Sequence, residues 1–260
     1  MPLDLALSDL SRLSRVRQVL ADNDPNGQFT SLGIAEVHIS DDVLSQLTDV
    51  IDRHLALAGR VAGQETQVRM IVDPVLIRRD SADLKQRVEE LLGGRYSVTR
   101  VTLDDGHPIL HADEGILDAA AFASEGADVI VSVGGGTITD VAKIAAERAG
   151  VPVHVVVQTA ASVDGYTDNF AVVLQNGVKT TLPSRWPEAV LTDTRVIAEA
   201  PHYLNASGFG ELLSMYEAPV ARRRVHRQKL SAARPLFDAF ATEAEHFQKY
   251  RRVFRVHAHA

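Results

Sequence analysis

The sequence predicts an α/β fold built on a parallel sheet, and three observations carry that expectation. Short β-branched apolar runs alternate with stretches of helical periodicity from about residue 35 to residue 157. The most apolar run, Val129–Val133, ends in Gly134, Gly135 and Gly136, and a helical pattern (Ile138, Val141, Ala142, Ile144, Ala145) begins at once. Strands with intervening helices of this length pair in parallel and are covered on both faces.

Taken in order, residues 1–30 read as an N-terminal extension, with Leu3, Leu7, Leu10 and Leu13 at amphipathic spacing before a loop over Asp22–Gly27. Ala35–Ile39 predicts a strand, and Ser40 is expected to cap a helix through Val43, Leu47, Val50, Ile51 and Leu55. Arg69–Asp73 reads as a buried strand and Ser81–Leu92 as a helix stopped by Gly93-Gly94. Val98–Leu103, Asp113–Ser124, Val129–Val133, Thr137–Ala149 and Val151–Val157 continue the alternation as strand, helix, strand, helix, strand. Two runs flanking Asn176-Gly177, Phe170–Leu174 and Val178–Leu182, predict a β-hairpin, because both turn residues tolerate positive φ. From Pro201 onward strand signals stop, and Phe237, Phe240, Ala244 and Phe247 recur at helix spacing. The expected organisation is an α/β nucleotide-binding domain over 31–200 and a truncated helical region over 201–260.

Composition narrows the class. At 260 residues, 45% hydrophobic and 23% charged, the chain has the balance of a soluble globular protein. No apolar run approaches the roughly 18–20 residues that span a bilayer, and the N-terminus lacks a signal-peptide core. A cytoplasmic protein without a membrane partner is the default expectation. The absence of cysteine excludes disulfides and thiolate metal sites. The net charge of −7 is uneven: residues 221–260 hold ten Lys and Arg against three Asp and Glu, while the rest of the chain carries −14. The basic run Arg222–Lys229 lacks interleaved aromatics and follows an acidic body, which argues against nucleic acid.

A strand, a glycine turn and a helix in succession place unpaired backbone N–H groups at a helix N-terminus, where the dipole favours an anion such as phosphate. The turn lacks the third glycine of the G-x-G-x-x-G fingerprint and the Gly-Lys-Ser/Thr of a P-loop. Thr137 and Asp140 fit the spacing of a capping box, so Asp140 has a structural reading beside a ligand-binding one. Lys143 either offsets that carboxylate or is solvated. Asp73 ends a strand, where a carboxylate can bond a ribose diol or simply precede the turn at Pro74. Thr159, Ser162 and Asp164 follow the VPVHVVV run, again beyond the carboxyl end of a strand.

These motifs together (GGGT-x-x-D-x-A-K, then T-A-A-S-x-D-G, the Asn-Gly hairpin with Lys-Thr, Ala-Pro and G-F-G-E) resemble the glycerol-1-phosphate dehydrogenase branch of the iron-containing alcohol dehydrogenase and dehydroquinate synthase-like superfamily. The likeness covers roughly Asp73 to Ala218. It implies an α/β nucleotide domain, a helical domain, and a divalent metal (Zn, Ni or Fe) in the cleft between them. The implied activity interconverts a secondary alcohol and a ketone on a small phosphorylated polyol, with NAD or NADP as cofactor. Gly134, Gly135, Gly136, Thr137 and Asp140 would then hold the pyrophosphate, Asp73 the adenosine ribose, and Thr159 and Ser162 the nicotinamide half. Asp164 would contact substrate and Glu211 would ligate the metal, both as catalytic residues. Glu211 stands where the family pattern has Asp, and Asp168 stands where it has a cofactor-contacting Ser. The family's two metal-binding histidines have no counterpart at the expected spacing among His226, His246, His257 and His259. Residues from about 220 onward therefore read as a truncated or frame-shifted replacement of the helical domain. A cofactor-binding remnant without turnover and a dehydroquinate synthase-like cyclase are the alternatives, and homo-oligomerisation is left open.

Overall fold

The structure, a computed structural model, describes residues 13–22, 24, 26–27 and 31–221. The expected helix over Phe237–Phe247 and the four late histidines lie outside these. The chain divides into two compact units, Asp9–Phe209 and Met1–Ser8 with Gly210–Ala260; the description below concerns the first.

After helix α1 (Leu13–Asp22), strand β1 (Glu36–Ser40) leads through a 3-10 turn (Val43–Gln46) into α2 (Leu47–Leu57). Strand β2 (Gln67–Val72) is followed by a two-residue ladder, β3 (Arg78–Arg79) with β4 (Ala82–Asp83), and by α3 (Leu84–Gly93). Then come β5 (Ser97–Thr102), α4 (Glu114–Ala123), β6 (Val129–Gly134), α5 (Gly136–Arg148) and β7 (Val153–Gln158). The hairpin β8 (Phe170–Gln175) and β9 (Val178–Pro183) precedes β10 (Ala189–Asp193), α6 (Thr194–Glu199) and α7 (His202–Ala221). Among the described residues no helix is long and apolar enough to cross a membrane.

Six strands form one parallel sheet in the order β1-β10-β7-β6-β2-β5. Because successive side chains point to opposite faces, Val129, Val131 and Val133 join Val68, Met70 and Val72 under α2 and α3. Ile130 and Ile71 face the other way, under α4 and α5 with Leu117, Val141 and Ala145. Both faces are dry, which is why the strands read as continuous apolar runs. The chain steps outward from β2 to β5, then returns to β6 on the far side of β2. The strand order therefore reverses between β2 and β6, and a crevice opens there beyond their carboxyl ends.

Three local expectations are corrected. Asp42, and not Ser40, flanks the 3-10 turn before α2. Helix α3 starts at Leu84 because Asp83 accepts hydrogen bonds from the Lys85 and Gln86 amides, while Asp80 and Ser81 take left-handed φ of 50° and 67°. The Thr137–Asp140 capping box does not form: the N-cap is Gly135, extended at φ −80° and ψ −169°, so the helix begins one residue early. The hairpin is as expected, with positive φ at Asn176 and Gly177.

The β1 edge is tied to α2 by Glu36, which lies 2.6 Å from Arg53 Nη2 and 2.6 Å from His38 Nε2. The Arg53 hydrogen bond dominates over the cost of burial, and with His38 it lowers the Glu36 pKa to about 2. A carboxylate with a depressed folded pKa contributes stability above its unfolded pKa and loses it as pH falls through the folded one. Here the window runs from about 4.5 down to about 2. Since Arg53 is half exposed, screening limits the contribution to about 1–2 kcal/mol. Urea unfolding at pH 7 and pH 2.5 should show the wild type losing about that much more stability than Glu36→Gln.

Candidate functional site

A cleft of about 590 Å³ sits at the crevice between β2 and β6. Its walls include Asp73 from the end of β2, Gly135, Gly136 and Thr137 from the β6–α5 turn, and Thr159 and Ser162 from the segment after β7. Arg78, Pro108–Leu110 from the β5–α4 loop, and Pro201, Tyr203 and Ser207 from α7 and its approach also contribute. Six sequence-predicted residues thus share one cavity although they come from three separate chain segments.

Tight packing of the glycine turn explains its composition. A Cβ on Gly134 would lie 2.7 Å from the Cβ of Ile138, and one on Gly136 would lie 2.7 Å from Val163 Cγ2. Gly135 is different: an added Cβ would find only the Tyr166 hydroxyl, 4.0 Å away. With no side chain capping the helix, the first amides of α5 are left for a ligand. At α7 a Cβ on Gly208 would run into the backbone carbonyl of Ala161, so the helix lies directly on the post-β7 segment. The Asn205 side chain accepts a hydrogen bond from the Ala161 amide at 3.1 Å and fixes that approach.

The remaining predicted residues stand off the cleft wall. Asp140 is buried on the flank of α5, where its Oδ2 accepts from the Val172 amide at 3.1 Å. Burial, only partly offset by Lys143, raises its pKa to about 6. Asp164 is exposed and flanks the 3-10 turn Gly165–Thr167. Asp168 meets the fully buried Lys143 at 2.7 Å, so the charge it introduces is neutralised. Glu211 lies on α7, half-buried, in the second compact unit.

Two lysines organise the site, and of their contacts only the approach of Lys143 to Asp140 was open to reading from the sequence. Lys143 donates to the carbonyls of Gly165 and Phe170 as well as to Asp168, with Asp140 Oδ1 at 3.6 Å. It fastens the 165–172 segment to α5. Lys85, equally buried, donates to the Asp73 carboxylate at 2.5 Å and to the carbonyls of Asp73 and Val75. Burial lowers its pKa, against which the bond to Asp73 works. The Asp73 carboxylate therefore reaches the cleft already partnered by a cation, and Arg78, on the same wall, adds a second one.

An open parallel α/β sheet with its cleft at the strand-order reversal, behind a glycine turn, belongs to the class of domains that hold ligands beyond the strands' carboxyl ends. The family model for iron-containing alcohol dehydrogenase matches residues 39–201. The chain belongs to that family. A glycerol-1-phosphate dehydrogenase [NAD(P)+] of Methanoculleus marisnigri is 35% identical over 195 residues, covering 74% of this chain and 48% of the relative. One of Bacillus velezensis is 40% identical over 141 residues, covering 52% and 36%. The chain thus spans about half or less of the length of these curated relatives. Among solved structures, a 2-deoxy-scyllo-inosose synthase superposes with a TM-score of 0.53 at 24% identity, over 69% of this chain and 49% of that one. A probable glycerol dehydrogenase of Sinorhizobium meliloti gives 0.51 at 23%, over 67% and 43%. These structures share the fold.

The cleft fits a nicotinamide dinucleotide: free helix amides, a glycine with room in front of it, and a strand-end carboxylate converge on one cavity. The family metal is a different case. Among the described residues, the group of three or more His, Asp or Glu donors close enough to share an ion is Asp105, His107 and His111, which does not include Glu211. The described residues do not assemble a metal site at Glu211.

Proposed function

We propose that this chain seats NAD or NADP in the β2–β6 cleft and serves the interconversion of a secondary alcohol and a ketone on a small polyol phosphate, of the glycerol 1-phosphate and dihydroxyacetone phosphate type. The observation that carries the reading is the convergence of the uncapped α5 amides with Asp73 and Thr159–Ser162 on one cavity. The pyrophosphate lies on the amides of Gly135, Gly136 and Thr137, where the helix dipole and unpaired donors favour it. Gly134 lets the turn close against Ile138, and Asp140 acts from beneath by holding the Val172 amide. Asp73 accepts from the adenosine ribose. Thr159 and Ser162 line the nicotinamide end, and Asp168 steadies that end through Lys143. Asp164 and Glu211 are the carboxylates we assign to the substrate side. The cofactor supplies the hydride chemistry, while the protein fixes the separation of donor and acceptor carbons.

Because Lys85 already offsets the charge of Asp73 and Arg78 stands on the same wall, a 2′-phosphate meets a partnered carboxylate with a cation beside it. Fluorescence titration should therefore give NADH and NADPH affinities within about tenfold of each other. Turnover is read as NAD(P)H oxidation with dihydroxyacetone phosphate, with and without added Zn²⁺ or Ni²⁺. Metal-dependent oxidation supports the dehydrogenase. Binding without turnover supports a second reading, a cofactor-binding chain without activity. A dehydroquinate synthase-like cyclase would form product with no net change in NADH. Absence of nucleotide binding would contradict all three.

A further inference from the structure

The loop after β5 carries a cluster that the cleft reading does not use. Asp105, His107 and His111 each present one donor atom, and the three atoms lie within 4.8 Å of one another. Asp105 Oδ2 is 2.7 Å from His111 Nδ1 and 3.5 Å from His107 Nδ1. Donors that share a metal bonded at about 2.0–2.2 Å stand roughly 3–3.5 Å apart, so the two shorter separations bracket a bound arrangement. The carboxylate is already aimed: its oxygens accept from the backbone amides of His107 and His111, each at 3.0 Å. Such outer contacts are what orient a ligating carboxylate. The Asp105 side chain is 9% exposed, while the two imidazoles are 64% and 46% exposed, which leaves coordination positions open to water. The rings meet edge to face at 88°, with their centroids 5.1 Å apart.

We propose that Asp105, His107 and His111 bind one divalent transition-metal ion, separate from any metal at Glu211. Two imidazoles and one carboxylate suit Zn²⁺, Co²⁺ or Ni²⁺ better than Mg²⁺ or Ca²⁺, which prefer oxygen. In the metal-free protein His111 Nδ1 lies 2.7 Å from Asp105 Oδ2, and the ion takes the place of that direct contact. The stretch between the two histidines, Pro108–Leu110, is cleft wall. An ion joining residues 105, 107 and 111 closes this loop on itself and pins that wall.

The test titrates the full 260-residue chain with Co²⁺, read by its visible absorption and by equilibrium dialysis, beside the variant His107→Gln/His111→Gln. The wild type should take up an equivalent of Co²⁺ that the variant loses, with affinity reduced about 100-fold or more. Equal metal-free melting temperatures verify that the variant is folded. Hydrogen exchange of the amides from 106 to 112 should slow when Co²⁺ is added to the wild type alone. No uptake by the wild type, or identical uptake by the variant, overturns the site. Uptake without added protection of the loop overturns the pinning. Neither readout depends on nucleotide binding, so its outcome is independent of the cofactor assignment.

Discussion

Lys143→Met should destabilise the protein by about 3–5 kcal/mol in urea unfolding at pH 7, the range for breaking a buried ion pair by removing one partner. The side chain is fully buried and serves four oxygens: two backbone carbonyls, Asp168 and Asp140. Methionine matches its length but leaves both carbonyls unsatisfied and two carboxylates facing each other without a cation. Asp168 is one-third exposed and can turn to water, whereas Asp140 is mostly buried and cannot. Asp140 already titrates near 6 because burial outweighs the attraction of Lys143. A carboxyl with a raised folded pKa contributes stability below its unfolded pKa and loses it as pH rises through the folded one. Removing Lys143 raises that pKa further. The variant should therefore regain part of its stability between pH 7 and pH 5, and Lys143→Met/Asp140→Asn should recover about 1–2 kcal/mol at pH 7. A pH dependence no steeper in the single variant than in the wild type would mean that Asp140 does not feel Lys143.

The parts of the molecule legible in the sequence are those whose cause is local. Strand β6, the glycine turn and α5 could be read because a β-branched run, three glycines and a helical period are contiguous. Asp73 could be placed at the crevice because it directly follows β2. The hairpin was announced by Asn176-Gly177. What escaped depends on partners far along the chain. Lys85 looks like a solvated helix lysine, and Lys143 like a solvated one or a partner of Asp140 alone, until their ammonium groups meet oxygens 10–12 and 22–27 residues away. The Arg79–Asp193 pair, buried at 2.5 Å, joins the β3 turn to the end of β10 across 114 residues. Thr137 and Asp140 had capping-box spacing, but the extended Gly135 moved the helix start, and tertiary contact with Val172 claimed the Asp140 carboxylate. One part of the lysine clamp was legible: Asp140 and Lys143 are three apart on one helix and share a face, so an offset of that carboxylate was one of the two readings open to Lys143.

The assignment of the glycine turn as a pyrophosphate seat makes a prediction in which stability and binding move in opposite directions. Gly135 is the N-cap of α5, lacks a capping side chain, and has room for a Cβ. In Gly135→Asp the new carboxylate caps the amides itself and interacts favourably with the dipole, so stability should be unchanged or rise by a few tenths to about 1 kcal/mol. That same carboxylate occupies the place assigned to the pyrophosphate and repels it; like charges about 4 Å apart near a protein surface cost up to about 4 kcal/mol. The most direct measurement is fluorescence titration of wild type and Gly135→Asp with NADH and NADPH, alongside thermal unfolding of both proteins. The account predicts saturable binding by the wild type and a loss of about 100-fold or more in a variant that melts no lower. Equal affinity in the two proteins, or no binding by the wild type, would contradict it.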